Sequence, residues 1–157
     1  MSAVSGATGR RLQARLARAQ VEGRLPSVVA GLVRDGELIW TSSIGELPGP
    51  ALDTQFRIGS ITKTLTAVLA LQEVRRGALT LDAPIGGVLG DVPYADVSAR
   101  SLLAHSSGLT SESVGDWWER SDGVSWDELV AAHRDVDTVF PDRQQFHYSN
   151  LAYALLG

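Results

Sequence analysis

The period of the apolar positions changes several times along this chain, and each change marks an element. From about 9 to 22, Leu12, Leu16 and Ala19 recur at helical spacing, with Arg11, Arg15 and Arg18 sharing a neighbouring face. This pattern predicts an amphipathic helix ending near Gly23. Two apolar runs then flank Asp35-Gly36, Val28 to Val33 before it and Glu37 to Ser42 after it. An Asp-Gly pair supplies the positive φ angles of a two-residue turn, so the segment predicts a β-hairpin. The prolines and glycines of Gly45-Glu46-Leu47-Pro48-Gly49-Pro50 then break regular structure and predict a loop.

A second helical pattern runs from Ser60 to Arg76 through Ile61, Leu65, Val68, Leu69, Leu71 and Val74, with Gly77 placed as the left-handed residue that ends it. With Ala67 and Ala70 added, the apolar surface is wider than one stripe, which predicts a central, largely buried helix. Asp82-Ala83-Pro84, Gly86-Gly87 and Gly90 predict loop. Shorter helices are expected at 99–104, closed by Ser106-Ser107-Gly108, and from Trp126 to His133. Residues 142–150 read as loop, and Leu151 to Leu156 as the first turns of a helix. The sequence shows no internal repeat and no low-complexity tract.

Composition narrows the function classes. The 157 residues are 44% hydrophobic and 20% charged, with a net charge of −4, which fits one globular domain and argues against binding a nucleic-acid backbone. The early arginines (Arg10, Arg11, Arg15, Arg18, Arg24) read as a solvated helix face rather than an anionic-partner site. Cysteine is absent, which excludes disulfides, thiolate metal sites and thiol nucleophiles. His105, His133 and His147 show no metal-ligand spacing, so no metal and no cofactor is expected. No apolar run approaches a membrane span, and the N-terminus lacks the apolar segment of a signal peptide. The expectation is a soluble, cytoplasmic protein.

The chemistry lies in two residues that occur once each. Lys63 is the only lysine, in Ser60-Ile61-Thr62-Lys63, and Asn150 is the only asparagine, in Tyr148-Ser149-Asn150. By chance the two placements would coincide about once in five hundred such sequences. Three-residue spacing at a helix start puts Ser60 and Lys63 on one face. A serine hydroxyl needs a neighbouring base, and an amine can serve where a guanidinium cannot, provided burial or nearby positive charge lowers its pKa. The first N–H groups of the helix lack intrahelical partners, so the Ser60 N–H is a candidate oxyanion donor. Singly, each residue has a plainer reading. Ser60 and Asn150 could be helix caps, Lys63 a solvated first-turn lysine, and Tyr148 a half-buried packing residue. Jointly they point to a serine nucleophile. No G-x-S-x-G elbow occurs, so a Ser-His-Asp triad on an α/β-hydrolase fold is not expected.

Three segments, in order, resemble the class C β-lactamase-like serine hydrolases, a group that includes penicillin-binding proteins, D-amino-acid peptidases and β-lactamase-fold esterases. They are Phe56 to Thr64 around the Ser-x-x-Lys motif, Leu102-Leu103-Ala104-His105-Ser106-Ser107-Gly108-Leu109, and Phe146 to Gly157 around Tyr-x-Asn. The resemblance runs from about Ser27 to the last residue. It implies an α/β (α+β) fold of the β-lactamase/transpeptidase type: an N-terminal helix, a two-stranded hairpin and a helical region carrying both motifs. It implies that Ser60 is acylated, that Lys63 activates it, and that Tyr148 is a general base with a depressed phenol pKa. Asn150 would orient Lys63 and bind the substrate amide or ester. A tyrosine in the second motif points to the class C branch, since class A enzymes carry Ser-Asp-Asn. His105 reads as structural, with a perturbed site histidine as the alternative. Trp117 and Trp118 fall where such enzymes build one wall of the substrate cleft; core packing or a surface loop is the plainer reading.

The family's third motif, Lys-Thr-Gly or His-x-Gly, is absent from these residues, and so are the strands the family takes from its C-terminal half. The expectation is that residues 1–157 are the N-terminal portion of a single β-lactamase-like domain, truncated inside a helix at Gly157. Such a chain should hydrolyse weakly or not at all alone, and a complementing C-terminal chain should restore activity. Expected substrates are a small ester, a D-amino-acid peptide or a β-lactam, with ester or peptide ahead of β-lactam because no export signal is seen. The competing reading is a non-catalytic remnant or binding module of the same fold.

Overall fold

A computed structural model describes residues 4–115, 122–141 and 145–157, and the chain divides into two compact units, residues 1–57 and 58–157. The first unit holds helix α1 (Gly6–Glu22) and strands β1 (Ser27–Arg34) and β2 (Glu37–Gly45). Helix α1 begins three residues before the expected start because the Ser5 side chain accepts from the Thr8 N–H at 3.2 Å. Its arginines at 11, 15 and 18 are exposed, as the solvated-face reading requires, and Arg18 bonds Glu22 at 2.6 Å. The strands pair antiparallel from Ser27↔Gly45 to Arg34↔Glu37. Asp35 and Gly36 have φ of 53° and 80°, so the hairpin closes through the turn their sequence predicts. A register shift between Leu32 and Val33 inserts a bulge that periodicity did not show.

The second unit carries a short 3-10 turn (Gly59–Ile61), then α2 (Thr62–Arg76), α3 (Gly86–Leu89), α4 (Ala99–Leu103), α5 (Trp126–Ala132) and α6 (Asn150–Ala154). Helix α2 ends as expected. Gly77 adopts φ 78°, its N–H reaches the Val74 carbonyl at 3.1 Å, and the Ala78 N–H reaches that of Glu73 at 3.0 Å. This pair of bonds is a Schellman motif. Helix α5 starts at a capping box in which Ser125 and Glu128 bond each other's backbone N–H groups. Helix α3 lies in a stretch read as loop; its four residues are too few for periodicity to show.

The core of this unit is built from Ile85, Val97, Ala99, Leu102, Leu109, Leu151, Ala152 and Leu155, with Leu79, Leu89, Tyr94, Leu129 and Leu156 against it. The expectation of a largely buried α2 is not met. Only its Ala70 is buried, while Leu65, Leu69 and Leu71 are 56%, 61% and 50% exposed. Wide apolarity marks a helix that can be covered on several sides, but the core elements of this unit cover one. The inner side of α2 borders an apolar cleft of about 440 Å³, lined by Leu69 and Ala70 together with Leu79, Ile85, Leu89 and Leu155. Among the described residues, no helix is long and apolar enough to cross a membrane.

Candidate active site

The Ser-x-x-Lys and Tyr-x-Asn motifs, 85 residues apart by sequence from Lys63 to Tyr148, meet in the second unit. Ser60 lies in the 3-10 turn just before α2, not inside the α-helix, and its hydroxyl caps nothing. It accepts instead from the Tyr148 hydroxyl at 2.7 Å and from Lys63 Nζ at 3.4 Å. The plain capping role for Ser60 is therefore not what the geometry shows. Ser60 is exposed, while Lys63 on the first turn of α2 is half-buried.

Asn150 does not cap α6 either; Ser149 does, accepting from the Ala152 N–H at 2.9 Å. Ser149 is fully buried and its hydroxyl donates to the Thr110 carbonyl at 2.6 Å, which ties the start of α6 to the 110–112 segment. The Asn150 side chain is thus free for the site. Its Oδ1 accepts from Lys63 Nζ, and its Nδ2 donates to Glu112 Oε1 at 2.8 Å. The Asn150 N–H also donates to the Ser111 carbonyl at 2.7 Å. The sole lysine and the sole asparagine are direct partners.

The charge of Lys63 shapes the tyrosine. Lys63 Nζ lies 5.0 Å from the Tyr148 ring centroid and 5.7 Å from that of Tyr153. Hydrogen bonding with Lys63, then with Ser60, holds the Tyr148 phenol below its ordinary pKa, helped by the Lys63 charge and opposed by burial and the Glu112 charge. Tyr153, which donates to the Leu103 carbonyl at 3.1 Å, goes the other way: burial raises its pKa. Two tyrosines near one lysine are pushed in opposite directions, and Tyr148 is the one poised to lose a proton.

Of the residues singled out from sequence, Ser60, Lys63, Tyr148 and Asn150 converge. Trp117 and Trp118 lie outside the described residues. Glu112 is a neighbour that the sequence did not disclose: the recognisable segment stops at Leu109, and a lone glutamate in a loop carries no spacing signal. His105 comes close as well, with its ring centroid 4.6 Å from that of Tyr148.

This geometry agrees with what the sequence is similar to. The sequence model of the family described as Beta-lactamase matches residues 12–157. The chain belongs to the beta-lactamase family. Among the family's curated members it is 36% identical over 134 residues to Esterase EstB of Burkholderia gladioli, covering 73% of this chain and 34% of that protein. It is 30% identical over 143 residues to Penicillin-binding protein 4 of Amycolatopsis lactamdurans, covering 87% and 35%. The D-amino acid amidase of Ochrobactrum anthropi SV3 superposes with a TM-score of 0.73 at 26% identity, over 94% of this chain and 42% of that one. The class C β-lactamase of Rhodobacter sphaeroides gives 0.65 at 26% identity, over 92% and 41%. This beta-lactamase-family chain thus spans about a third of the length of these curated relatives. Its fold, a small antiparallel sheet with a helical region carrying the motifs, is the part of the β-lactamase fold that the resemblance implied.

Proposed function

We propose that this chain carries the acylation machinery of a serine hydrolase, with Ser60 as nucleophile. The observation that supports it most is the Ser60 hydroxyl, bonded at once to Tyr148 and Lys63. Tyr148 in its phenolate form takes the Ser60 proton as Oγ bonds to the carbonyl carbon of the substrate. The oxygen that gains negative charge faces the N–H groups at the start of the 3-10 turn, the Ser60 N–H among them. Tyr148 then returns the proton to the departing alcohol or amine, leaving acyl-Ser60. Water attacks the ester, its proton goes to Tyr148 and on to Ser60 Oγ, and the acid product leaves. Lys63 supports the phenolate, and Asn150, braced by Glu112, fixes Lys63 and hydrogen-bonds the acyl group.

The substrate is an ester or a D-amino-acid amide before a β-lactam. Support comes from the 36% identity to an esterase and the superposition on a D-amino acid amidase. The competing reading is a non-catalytic remnant or binding module of the same fold. The uncovered face of α2 fits a further segment or a complementing chain that would complete the cleft. Turnover of p-nitrophenyl esters, a D-amino-acid p-nitroanilide and nitrocefin tests both readings, with the chain alone and then mixed with the C-terminal half of a relative. Slow ester turnover that rises on mixing and disappears in Ser60→Ala is expected. Turnover unchanged in Ser60→Ala contradicts the mechanism, and nitrocefin as the fastest substrate contradicts the order.

A further inference from the structure

His105 follows α4 with φ at +54°, a left-handed conformation uncommon for a residue with a side chain. It grips the second motif twice. Its carbonyl accepts from the His147 N–H at 2.7 Å, and its ring Nδ1 accepts from the Ser149 N–H at 3.1 Å. Tyr148 is the residue between those two donors. The same imidazole lies against the Tyr148 ring at 4.6 Å and 31°, against Tyr153 at 5.0 Å and 34°, and meets Phe146 edge-on at 5.8 Å.

Because the Ser149 N–H can only donate, Nδ1 must be unprotonated and the ring proton must sit on Nε2. Protonating Nδ1 would set two N–H groups against each other and add a cation beside Lys63.

We propose that neutral His105 is a positioning residue that fixes Tyr148 over Ser60, its Nδ1 holding the Ser149 backbone and its ring forming the floor under the phenol. The proposal rests on the hydrolase reading above for its catalytic consequence, but not for its geometry. Burial, and then the Lys63 charge, hold the imidazole pKa below its ordinary value, which keeps the acceptor form into mild acid. The titratable groups around it are Lys63 of α2, Tyr148 and His147 of the second motif, and Tyr153 of α6, with Glu112 one step away through Asn150. His147 spends its Nε2 on the Ser111 hydroxyl at 3.1 Å.

Two variants separate the acceptor from the ring. His105→Asn offers an amide oxygen near Nδ1 and tolerates positive φ, while His105→Phe keeps an aromatic face and has no acceptor. The first readout is the rate of Ser60 labelling by a fluorophosphonate against pH, corrected for the folded fraction by circular dichroism. His105→Phe should label about tenfold or more slowly, and His105→Asn should recover a large part of that loss. The wild-type rate should steepen by one further proton somewhere below about pH 6.5, and this extra limb should vanish in His105→Asn. The second readout needs no acylation: the ionisation of the Tyr148 phenol, taken as the ultraviolet difference from the matching Tyr148→Phe protein. It should move up towards the ordinary tyrosine value in His105→Phe and stay low in His105→Asn. An unchanged Tyr148 titration in His105→Phe overturns the proposal, as does equal loss in both variants. If the wild type is never labelled, even with a complementing C-terminal half present, the hydrolase reading fails, and the titration still decides the role of His105.

Discussion

Replacing Asn150 with aspartate tests the bridge that positions Lys63, because it exchanges one donor for an acceptor and changes little else. Asn150 Nδ2 donates to Glu112 Oε1 at 2.8 Å, so Asn150→Asp places two carboxylate oxygens at that separation in a half-buried site. Two full charges there repel by roughly 1.5 kcal/mol if water screens them fully and about 6 kcal/mol at an effective dielectric near 20. Lys63, bonded to the other atom of residue 150, gains a charged partner and offsets part of this. The repulsion alone is equivalent to about 1–4 pKa units; the rise left after the Lys63 offset is smaller and is shared by the carboxylate pair rather than owned by either member. A raised folded-state pKa means that the folded chain binds more protons than the unfolded chain above about pH 4, so stability is lost as pH rises. Urea unfolding of Asn150→Asp should therefore match the parent most closely near pH 5 and fall furthest behind near pH 8, the gap opening through the raised pKa. Adding Glu112→Gln should close the gap, since the glutamine amide donates to the new carboxylate. A stability difference independent of pH, or a second substitution that rescues nothing, would refute the bridge.

Two further outcomes follow from the same contacts. Ser149→Ala removes a helix cap worth about 1 kcal/mol and leaves the Thr110 carbonyl without its donor at about 1–3 kcal/mol, so the second unit should lose about 2–4 kcal/mol in urea unfolding. A loss under about 0.5 kcal/mol would mean that Ser149 does not anchor α6. Because the Tyr148 phenol is held low, chiefly by Lys63, labelling of Ser60 should rise with pH through that lowered pKa and level off before the ordinary tyrosine value near 10. Tyr148→Phe should slow labelling by about 10²–10⁴ and flatten the profile; an unchanged profile would remove Tyr148 as the base.

The elements with a short local cause were legible in the sequence. Asp35-Gly36 between two apolar runs dictated the hairpin and its turn, and Gly77 ended α2. Four site residues were legible for a different reason: a lone lysine and a lone asparagine in two motifs stand out against an arginine-rich background. What remained hidden depends on tertiary placement. Glu112 matters because its loop passes Asn150, and His105 matters because its ring and carbonyl both meet the segment around Tyr148. Neither fact has a period or a spacing. The burial of α2 was misjudged because apolar residues report a capacity for burial, while burial itself needs a neighbouring element to supply the cover. Ser60 and Asn150, both natural caps, were released from capping by a 3-10 turn and by Ser149, which only the backbone path reveals.

The most direct test of the central claim is the intact mass of the chain after exposure to a fluorophosphonate, with the modified residue located by peptide mapping. The mechanism predicts a single adduct on Ser60, faster at alkaline than at neutral pH, absent in Ser60→Ala and strongly slowed in Tyr148→Phe. An adduct that persists in Ser60→Ala, or no adduct at any pH even with a complementing C-terminal half present, would contradict a Ser60 nucleophile and leave the non-catalytic reading in its place.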